Sequence, residues 1–264
     1  MGSRGIREKI VQIIRYQQEG QDPQYGWLYN GIVGGIMGNP FGEFRRLEAD
    51  IPLEQVHLLA PVLPGKIICL GRNYAEHARE QDVEVPSVPL IFLKPPSAVI
   101  GPNEAIILPP QSQRVEHEAE LAVVIGKRGR WISTERALMH ILGYMNANDV
   151  TARDLQRQDG QWTRGKGFDT FCPIGPWIET EFDPTDVMVS CRVNGELRQM
   201  ASTREMTFSI PQIIAYISSI MTLEPGDVVL TGTPAGIGEL KAGDELITSI
   251  EGLGELINPV ELAK

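Results

Sequence analysis

The chain has 264 residues, of which 42% are hydrophobic and 22% charged, and its formal net charge is −10. This composition is typical of a folded globular protein and argues against a disordered, collagen-like or membrane-spanning chain. The negative charge disfavours nucleic acid as a partner, because phosphate backbones repel an acidic surface and no run of five basic residues offsets it. We therefore expect neither a nucleic-acid nor a membrane partner.

The cysteines of the chain indicate a reducing compartment. Cys69, Cys172 and Cys191 lie far apart and form no C-x-x-C pair. Their number and spacing fit neither a disulfide framework nor a zinc site, which favours reduced thiols and a cytoplasmic protein. The early apolar run, residues 10–14, is too short for a secretory signal, so no signal peptide is expected.

The first part of the chain predicts a small unit separate from the rest. Residues 16–44 are rich in Gly, Gln, Tyr and Trp and contain short alternating runs, which indicates β-strands. Pro61 and Pro64 then bracket a linker. We therefore predict a small N-terminal region over residues 1–62 and a main domain over residues 63–264.

The main domain begins with a buried strand and a short helix. The apolar residues 66–70 predict the strand. Asn73 with Glu76 resembles a capping box, which predicts that Asn73 caps a helix running towards Gln81. The proline-rich residues 86–110 favour edge strands and turns.

The rest of the chain alternates short strands with few helices. The predicted strands are 119–126, 228–230 and 245–250, and the predicted helices are 134–142 and 211–221. Because strands outnumber helices and no βαβ rhythm repeats, the predicted fold class is mixed, β-dominated α+β.

Three carboxylates are candidate metal ligands. Glu118 and Glu120 stand two residues apart at the start of an apolar run, so on a strand they would share one face. Two adjacent carboxylates repel unless a cation lies between them, although a solvated strand edge explains the same pattern. Asp149 follows another apolar run and is either a third ligand or an ordinary turn residue. Three oxygen donors without Cys or His would favour Mg²⁺ or Mn²⁺ over Zn²⁺.

His77 is a candidate general base. Glu80 follows three residues later on the same face of the predicted helix. A carboxylate bound to one imidazole nitrogen raises the basicity of the other, which suits a residue that activates water or removes a proton. A surface histidine in a simple charge pair is the alternative.

Two glycine-rich segments are candidate anion sites. Residues 160–167 nearly match a phosphate-binding loop, but Gly167 replaces the hydroxyl residue and no strand is predicted before it, which argues against a nucleotide. Lys166 nevertheless lies among glycines and is free to approach an anionic ligand. Residues 231–238 follow a strand, and their N–H groups either face an anion or form tight turns.

Taken in order, these segments resemble the fumarylacetoacetate hydrolase superfamily. The matching segments are 71–77 (GRNYAEH), 92–95 (FLKP), 117–121 (HEAEL), 149–154 (DVTARD), 166–169 (KGFD) and 231–234 (TGTP). The resemblance covers residues from about 63 to the C-terminus. It implies a β-rich roll with a few helices and a homodimer, preceded by the small N-terminal region that many bacterial members carry.

The resemblance also implies roles for individual residues. Glu118, Glu120 and Asp149 would hold Mg²⁺ or Mn²⁺. The implied catalytic residues are His77, Glu80 and Lys166. The implied substrate contacts are Arg72, Tyr74, Arg153, Gln156 and Thr233.

The function that this resemblance implies is a divalent-metal-dependent hydrolase that cleaves a C–C bond in an acylpyruvate-like 3-oxo acid. The metal and Lys166 would stabilise a pyruvate enolate, and water activated by His77 and Glu80 would attack the far carbonyl of the small anionic 2-oxo acid. Three alternatives stay open: an oxaloacetate decarboxylase, an isomerase of 5-carboxymethyl-2-hydroxymuconate or 2-hydroxyhepta-2,4-diene-1,7-dioate, and a catalytically inactive metal-binding member.

Overall fold

A computed structural model of the chain describes residues 12–264. It is 44% strand and 17% helix, which confirms a β-dominated mixed fold. Residues 1–11 lie outside the described residues. The prediction that the chain has no signal peptide concerns mostly these residues. Within residues 12–264, no helix combines the length and the hydropathy that a membrane crossing requires.

The strands are short and follow one another closely along the chain. They are β1 (Gln12–Gln17), β2 (Gln24–Tyr29), β3 (Ile32–Gly38), β4 (Phe44–Pro52), β5 (His57–Leu59), β6 (Ile67–Gly71), β7 (Leu90–Lys94), β8 (Val99–Ile100), β9 (Ile106–Leu108), β10 (Val115–His117), β11 (Ala119–Ile125), β12 (Ile141–Asn148), β13 (Thr151–Ala152), β14 (Cys172–Glu179), β15 (Met188–Val193), β16 (Glu196–Ser202), β17 (Val228–Leu230), β18 (Gly238–Glu239), β19 (Glu245–Ile250) and β20 (Gly254–Leu262).

Helices are fewer and mostly brief. The α-helices are α1 (Ala75–Glu80), α2 (Arg153–Asp159), α3 (Thr163–Lys166) and α4 (Ile210–Ile220). Single turns of 3₁₀ helix span Leu53–Gln55, Pro96–Ala98 and Thr203–Glu205, and a longer 3₁₀ helix spans Thr134–His140.

One large sheet runs through the molecule. Its main path has the order β4-β3-β2-β1-β14-β12-β11-β17-β6-β7, and β5 and β8 pair with β1 and β14 beside that path. The expected β-strands of residues 16–44 are therefore present. They join the rest of the protein where β1 pairs with β14, with Ile13 opposite Ile178. The division of the chain at residue 62 into two domains stays a prediction.

Two smaller sheets complete the fold. Their orders are β16-β15-β19-β20-β9 and β13-β10-β18. The central strand β11 is buried along its whole length. Alternate side chains enter different hydrophobic clusters: Leu121 and Val123 on one face, Ala122 and Val124 on the other. This alternation follows from the two-residue period of a strand and gives β11 a fixed register.

Several predicted elements are confirmed with small shifts at their ends. The strand predicted over 119–126 is β11, and those predicted over 228–230 and 245–250 are β17 and β19. The helix predicted over 211–221 is α4, with Pro211 in its first turn and a capping box formed by Ser209 and Gln212. The three cysteines are buried and unpaired, as expected of reduced thiols.

The predicted capping role of Asn73 is wrong. Helix α1 begins after Tyr74, which provides no side-chain cap. The Asn73 amide instead donates to the carbonyls of Thr231 (2.8 Å) and Phe208 (3.1 Å), and its oxygen accepts from the Phe208 N–H (2.8 Å). A buried amide among these backbone groups satisfies more polar atoms than a cap would, and it ties the start of α1 to two distant segments.

The helix predicted over residues 134–142 is also corrected. It is a 3₁₀ helix that ends at His140, and Ile141 begins β12 by pairing with Ile125 of β11. Gly143 approaches β14 so closely that an added Cβ would lie 2.3 Å from the Glu179 carbonyl oxygen. The strand pairing on both sides of β12 therefore overrides the helical pattern of the sequence.

Candidate active site

Three carboxylates converge where β11 begins and β12 ends. Glu118 lies in the one-residue gap between β10 and β11, Glu120 is the second residue of β11, and Asp149 directly follows β12. The antiparallel register puts Ala119 opposite Asn148, so the two strand ends meet. One ligand oxygen from each carboxylate lies within 4.8 Å of the others, and all three residues are buried. The expected convergence is confirmed.

Two buried lysines hold this cluster. The ammonium group of Lys166, at the end of α3, lies 2.8 Å from Glu118 Oε2 and 2.6 Å from Asp149 Oδ2. Lys94, the last residue of β7, contributes its ammonium group 2.6 Å from Asp149 Oδ1 and 3.1 Å from the Val150 carbonyl. Each lysine thereby forms charge-assisted hydrogen bonds that offset the cost of burying the charges.

Arg153 braces the same cluster from helix α2. Its guanidinium donates to Glu116 (2.6 Å) and to Glu118, and its third nitrogen donates to the side-chain oxygen of Gln156 (2.6 Å). The guanidinium is 1% exposed. Arg153 and Gln156 are both expected to contact substrate. In this structure they are hydrogen-bonded to each other, and Arg153 is also paired with Glu116 and Glu118.

The carboxylates differ in their electrostatic surroundings. Burial alone would raise the pKa of Glu118, but the charges of Lys166 and Arg153 hold it well below its usual range. The pKa of Glu120 is instead raised, by burial and by the charges of Asp149 and Glu118. Burial would lower the pKa of Lys166, and the nearby carboxylates raise it instead, so the side chain is a cation at neutral pH.

The cluster fits a hard divalent cation. Among the described residues, Glu120 forms no ion pair and accepts one hydrogen bond, from the Gly232 N–H (2.6 Å). Gly232 has φ +98°, and an added Cβ would lie 2.6 Å from Asn73 Cβ, so this close approach requires glycine. Three oxygen donors with one of them lacking a positive partner are suited to Mg²⁺ or Mn²⁺.

His77 lies opposite the carboxylates on helix α1. Its Nδ1 is 3.3 Å from Glu80 Oε2, and its Nε2 is 2.9 Å from the side-chain nitrogen of Gln81. Glu80 also accepts a hydrogen bond from the Gly236 N–H (3.0 Å). Although burial alone would raise the pKa of Glu80, the hydrogen bonds from His77 and Gly236 lower it. The expected His77–Glu80 pair is therefore present as a contact.

One small cavity joins these groups. It measures about 20 Å³. A cavity needs ~10–15 Å³ to hold one water, so there is room for about a single molecule. Its walls are Leu70, Gly71, Arg72, His77, Gln81, Phe92, Glu118, Glu120, Arg153, Gln156, Trp162, Lys166 and Thr233. A larger cavity of about 670 Å³ lies beside Tyr144 and Phe182 and contains none of the expected site residues.

Arg72 has a free donor at this cavity. Its Nε is buried and has no hydrogen-bond partner among the described residues. The backbone of Arg72 has φ +60°, and its guanidinium carbon lies 5.8 Å from the centre of the Trp162 ring. A non-glycine residue held in this left-handed conformation carries strain that a functional role would explain. Arg72 therefore lines the cavity with one donor that no described residue accepts, and its role as a substrate contact stays a prediction.

The remaining expected residues have different surroundings. The Thr233 hydroxyl donates to the Ala119 carbonyl (2.8 Å) and accepts from Gln199 Nε2 (2.7 Å), so its proton is already used. Tyr74 is buried beside Met206 and does not line the cavity. Asp149 and Glu80 do not line the cavity either, but they contact Lys166 and His77, which do.

Two contributors were missed by the sequence reasoning. Lys94 ends an apolar strand immediately before a proline, and a charged residue in that place is a signal for a buried ion pair. Gln199 connects the start of β11 to residues 233–234. Its Oε1 accepts a hydrogen bond from the Ala119 N–H (3.0 Å), and its Nε2 donates to the Thr233 hydroxyl and the Pro234 carbonyl. Nothing in its local sequence distinguishes Gln199 from a surface residue of β16, because its partners are remote in the chain.

Comparison with known proteins gives a consistent relationship. The family model "Fumarylacetoacetate (FAA) hydrolase C-terminal" matches residues 66–261, and the model "Rv2993c-like, N-terminal" matches residues 12–61. An uncharacterized Pyrococcus abyssi protein, PYRAB13970, is 57% identical over 201 residues, covering 74% of this chain and 89% of that protein. The mitochondrial oxaloacetate tautomerase FAHD2B of Bos taurus is 50% identical over 223 residues, covering 80% of this chain and 71% of that protein.

A solved structure agrees with the sequence relatives. The crystal structure of 2-hydroxyhepta-2,4-diene-1,7-dioate isomerase from Mycobacterium marinum is 42% identical, has a TM-score of 0.89, and covers 96% of this chain and 98% of its own. The family match spans well over half of the chain and includes every residue of the carboxylate cluster. The chain therefore belongs to the fumarylacetoacetate hydrolase family.

Proposed function

We propose that this protein is a divalent-metal-dependent enzyme that moves a proton on a small anionic 2-oxo acid, interconverting keto and enol forms of a 2-oxodicarboxylate such as oxaloacetate. The observation that carries the proposal is that His77, paired with Glu80, lines the same cavity as Glu118, Glu120 and Lys166. The names of the bovine tautomerase and of the mycobacterial isomerase support proton transfer as the reaction type.

We propose Glu118, Glu120 and Asp149 as the metal ligands and Mg²⁺ or Mn²⁺ as the ion. When bound, the ion would stabilise negative charge that develops on the 2-oxo oxygen of the substrate. The cluster supports this because it is buried, contains only oxygen donors and leaves Glu120 without a positive partner.

His77 is the proposed base. A carboxylate only accepts hydrogen bonds, so in the neutral imidazole the contact with Glu80 puts the proton on Nδ1 and leaves a lone pair on Nε2. That lone pair takes a proton from C3 of the substrate. The electrons of the broken C–H bond form the C2=C3 double bond, and the carbonyl pair moves onto the 2-oxo oxygen. Return of the proton to that oxygen gives the enol, and the reverse sequence gives the ketone.

Cationic side chains complete the site. Lys166 keeps its proton at neutral pH, because the carboxylates raise its pKa. It therefore acts as a fixed positive charge that favours a negatively charged transition state. We propose that Arg72, whose Nε is buried without a partner, binds a carboxylate of the substrate. Arg153 and Gln156 also line the cavity and are proposed to contact the bound acid.

Hydrolysis of an acylpyruvate is the second candidate. The cavity beside His77 has room for about one water, and a water next to a base is what cleavage of a C–C bond between two carbonyl groups requires. Loss of CO₂ from oxaloacetate would yield the same kind of enolate without that water. The two reactions differ from tautomerisation in releasing pyruvate.

One parallel assay separates these reactions. The protein is incubated with enol oxaloacetate, keto oxaloacetate and acetylpyruvate, each with Mg²⁺, with Mn²⁺ and with EDTA, and both enol absorbance and pyruvate are followed. Accelerated interconversion of the two oxaloacetate forms without pyruvate release supports the proposal. Metal-dependent pyruvate release from acetylpyruvate would make the protein a hydrolase, and release from oxaloacetate would make it a decarboxylase.

Matched variants connect the activity to the site. His77→Asn is expected to abolish metal-dependent turnover, whereas the same change at the exposed His57 is expected to leave it intact. Glu120→Gln is expected to abolish both turnover and metal binding, with the exposed Glu76→Gln as control. If no substrate is turned over but metal still raises the melting temperature, the protein is an inactive metal-binding member.

We also propose a homodimer in the cytoplasm, with a catalytic domain over residues 63–264. The family relationship supports the homodimer, and the buried unpaired cysteines are compatible with a reducing compartment. Size-exclusion chromatography with light scattering tests the assembly. A truncated protein that lacks residues 1–62 tests whether the larger region folds alone.

A further inference from the structure

We infer that Gln81 is a reversible cap on the basic nitrogen of His77, and that a ligand must displace its amide before His77 can accept a proton. Gln81 is therefore a positioning residue that acts through His77. The inference rests on the proposed role of His77 as a base and adds a step that precedes proton transfer.

The hydrogen-bond partners of the imidazole indicate which ring nitrogen carries the proton in the neutral ring. Glu80 lies 3.3 Å from Nδ1 and only accepts as a carboxylate, so Nδ1 carries the proton. In the neutral ring, Nε2 then has a lone pair, and the Gln81 amide nitrogen at 2.9 Å donates to it. The amide thus occupies the electron pair that a substrate proton would need.

The same amide also matches the protonated ring. Once Nε2 carries a proton it becomes a donor, and a half-turn of the amide presents the Gln81 oxygen as acceptor. A glutamine is suited to this change because it offers a donor and an acceptor at the same distance. A glutamate in this place would match only the protonated ring, and a methionine would match neither form well.

The small size of the cavity favours displacement of Gln81. Gln81 lines the same cavity of about 20 Å³ as His77, Glu118 and Glu120, so a bound acid competes with its side chain for space. Gln81 immediately follows helix α1 and is half-buried, and its backbone N–H remains bonded to the His77 carbonyl (3.3 Å). Its side chain can therefore rotate away without unfolding the helix.

Other charged groups surround His77, and among the described residues none of them is hydrogen-bonded to the Gln81 side chain. They are Glu80 on α1, Glu118 and Glu120 at the start of β11, Lys166 on α3, Arg153 on α2 and Arg72 beside β6. A difference between wild type and a Gln81 variant consequently reports on the amide.

The first test separates a cap from a substrate contact. If the amide competes with the ligand, Gln81→Met lowers KM for the 2-oxo acid about fivefold, the factor expected from one neutral hydrogen bond. The value of kcat changes less than KM. A raised KM would show that Gln81 binds the substrate and would overturn the inference, as would an unchanged KM.

The second test reads the contact without relying on turnover. Protein with ¹⁵N-labelled histidine is titrated by NMR in Mg²⁺, and His77 is identified among four histidines by the signal that His77→Asn removes. Wild type is expected to show a proton on Nδ1 of His77, because Nδ1 faces the Glu80 carboxylate. Gln81→Glu places a carboxylate on Nε2 and is expected to raise the His77 midpoint by at least ~1 pH unit.

The control for added charge is Gln158→Glu, at an exposed position of α2. The acidic limb of the kcat/KM profile is expected to move upward with the NMR midpoint in Gln81→Glu and to stay fixed in Gln158→Glu. Equal midpoints in the two variants would overturn the inference. If wild type turns over no substrate but the NMR shift persists, only the proposed function fails. If turnover is found and the shift is absent, only the cap fails.

Discussion

The carboxylate cluster and helix α1 face each other across one cavity, and they are held in place very differently. The cluster is fixed by ion pairs to Lys94, Lys166 and Arg153, each of which is almost completely buried. Helix α1 has only six residues and is tied by the Asn73 amide at one end and by the Glu80–Gly236 contact at the other. The cluster is therefore held by several buried ion pairs, whereas the proposed base stands on a short helix that is held by hydrogen bonds and two buried side chains.

The largest expected effect comes from breaking the rigid side. Lys166→Met would leave Glu118 and Asp149 buried with one positive partner fewer. Removing one member of a buried ion pair typically costs about 3–5 kcal/mol, because the remaining charge has lost its compensation. We expect a loss of this size in the free energy of unfolding, measured with urea in EDTA, together with loss of turnover.

The matched control removes a cation from an exposed pair. Arg128 lies 2.9 Å from Glu224, and both side chains are largely exposed. Arg128→Met is expected to cost less than about 1 kcal/mol, since solvent screens such pairs. Equal losses for the two variants would contradict the view that burial gives the cluster its rigidity.

Helix α1 can be released at its first end. Asn73→Ala would leave the carbonyls of Thr231 and Phe208 and the Phe208 N–H without their partner. Unsatisfied buried groups cost roughly 1–3 kcal/mol, so the expected loss of stability is smaller than for Lys166→Met. Hydrogen exchange should accelerate in α1 and stay unchanged in the buried strand β11. Faster exchange in both elements would show that the helix and the cluster form one cooperative unit.

The rigid side was the easier one to predict from sequence. Glu118 and Glu120 are two residues apart at the start of an apolar run, so the two-residue period of an extended chain predicts that they point the same way, although Glu118 lies just before β11. Asp149 joins them because β12 pairs with β11. Apolar runs in the sequence marked both of these strands. Lys94 was missed as a partner since its contact with Asp149 spans 55 residues of sequence.

The helix side depended on contacts that sequence does not encode locally. Asn73 followed by Glu76 matched a capping pattern, yet tertiary hydrogen bonds to residues far along the chain took the amide instead. His77 and Glu80 were predictable as an i,i+3 pair. The position of Gln81 on Nε2 was not, because it depends on how the chain turns after the helix ends.

A third prediction uses the pH dependence of the cluster. The pKa of Glu120 is raised in the folded protein by burial and by Asp149 and Glu118. Above the unfolded pKa the folded state therefore binds more protons than the unfolded state, and stability in EDTA falls as pH rises. Glu120→Gln removes that proton uptake, so its free energy of unfolding in EDTA should exceed that of wild type at pH 8 and converge with it towards pH 4.

The effect of Mg²⁺ on stability is a second measurement on the same variant. A ligand that binds only the folded protein raises its stability, so Mg²⁺ should stabilise wild type and leave Glu120→Gln unaffected. A variant that is less stable than wild type in EDTA at pH 8 would show that Glu120 contributes favourably without a metal. That outcome would contradict the assignment of Glu120 as the carboxylate that lacks a positive partner.

The smallest effect on stability is expected at Glu80, on the helix side of the cavity. Its pKa is lowered by hydrogen bonds from His77 and Gly236, so its contribution is present above the unfolded pKa and is lost as pH falls through the folded pKa. Because the side chain is about one-third exposed, solvent screening should keep the cost of Glu80→Gln below about 1 kcal/mol at pH 7. The value of kcat/KM should nevertheless fall far more than stability does, since the imidazole loses the carboxylate that keeps its proton on Nδ1.

Urea unfolding at pH 7 and pH 4, together with kinetics, tests this prediction, with the exposed Glu76→Gln on the same helix as control. Losses of stability and of kcat/KM that are equal in free energy would mean that Glu80 merely holds the helix, and the distinction between a rigid charged side and an adjustable basic side would then fail.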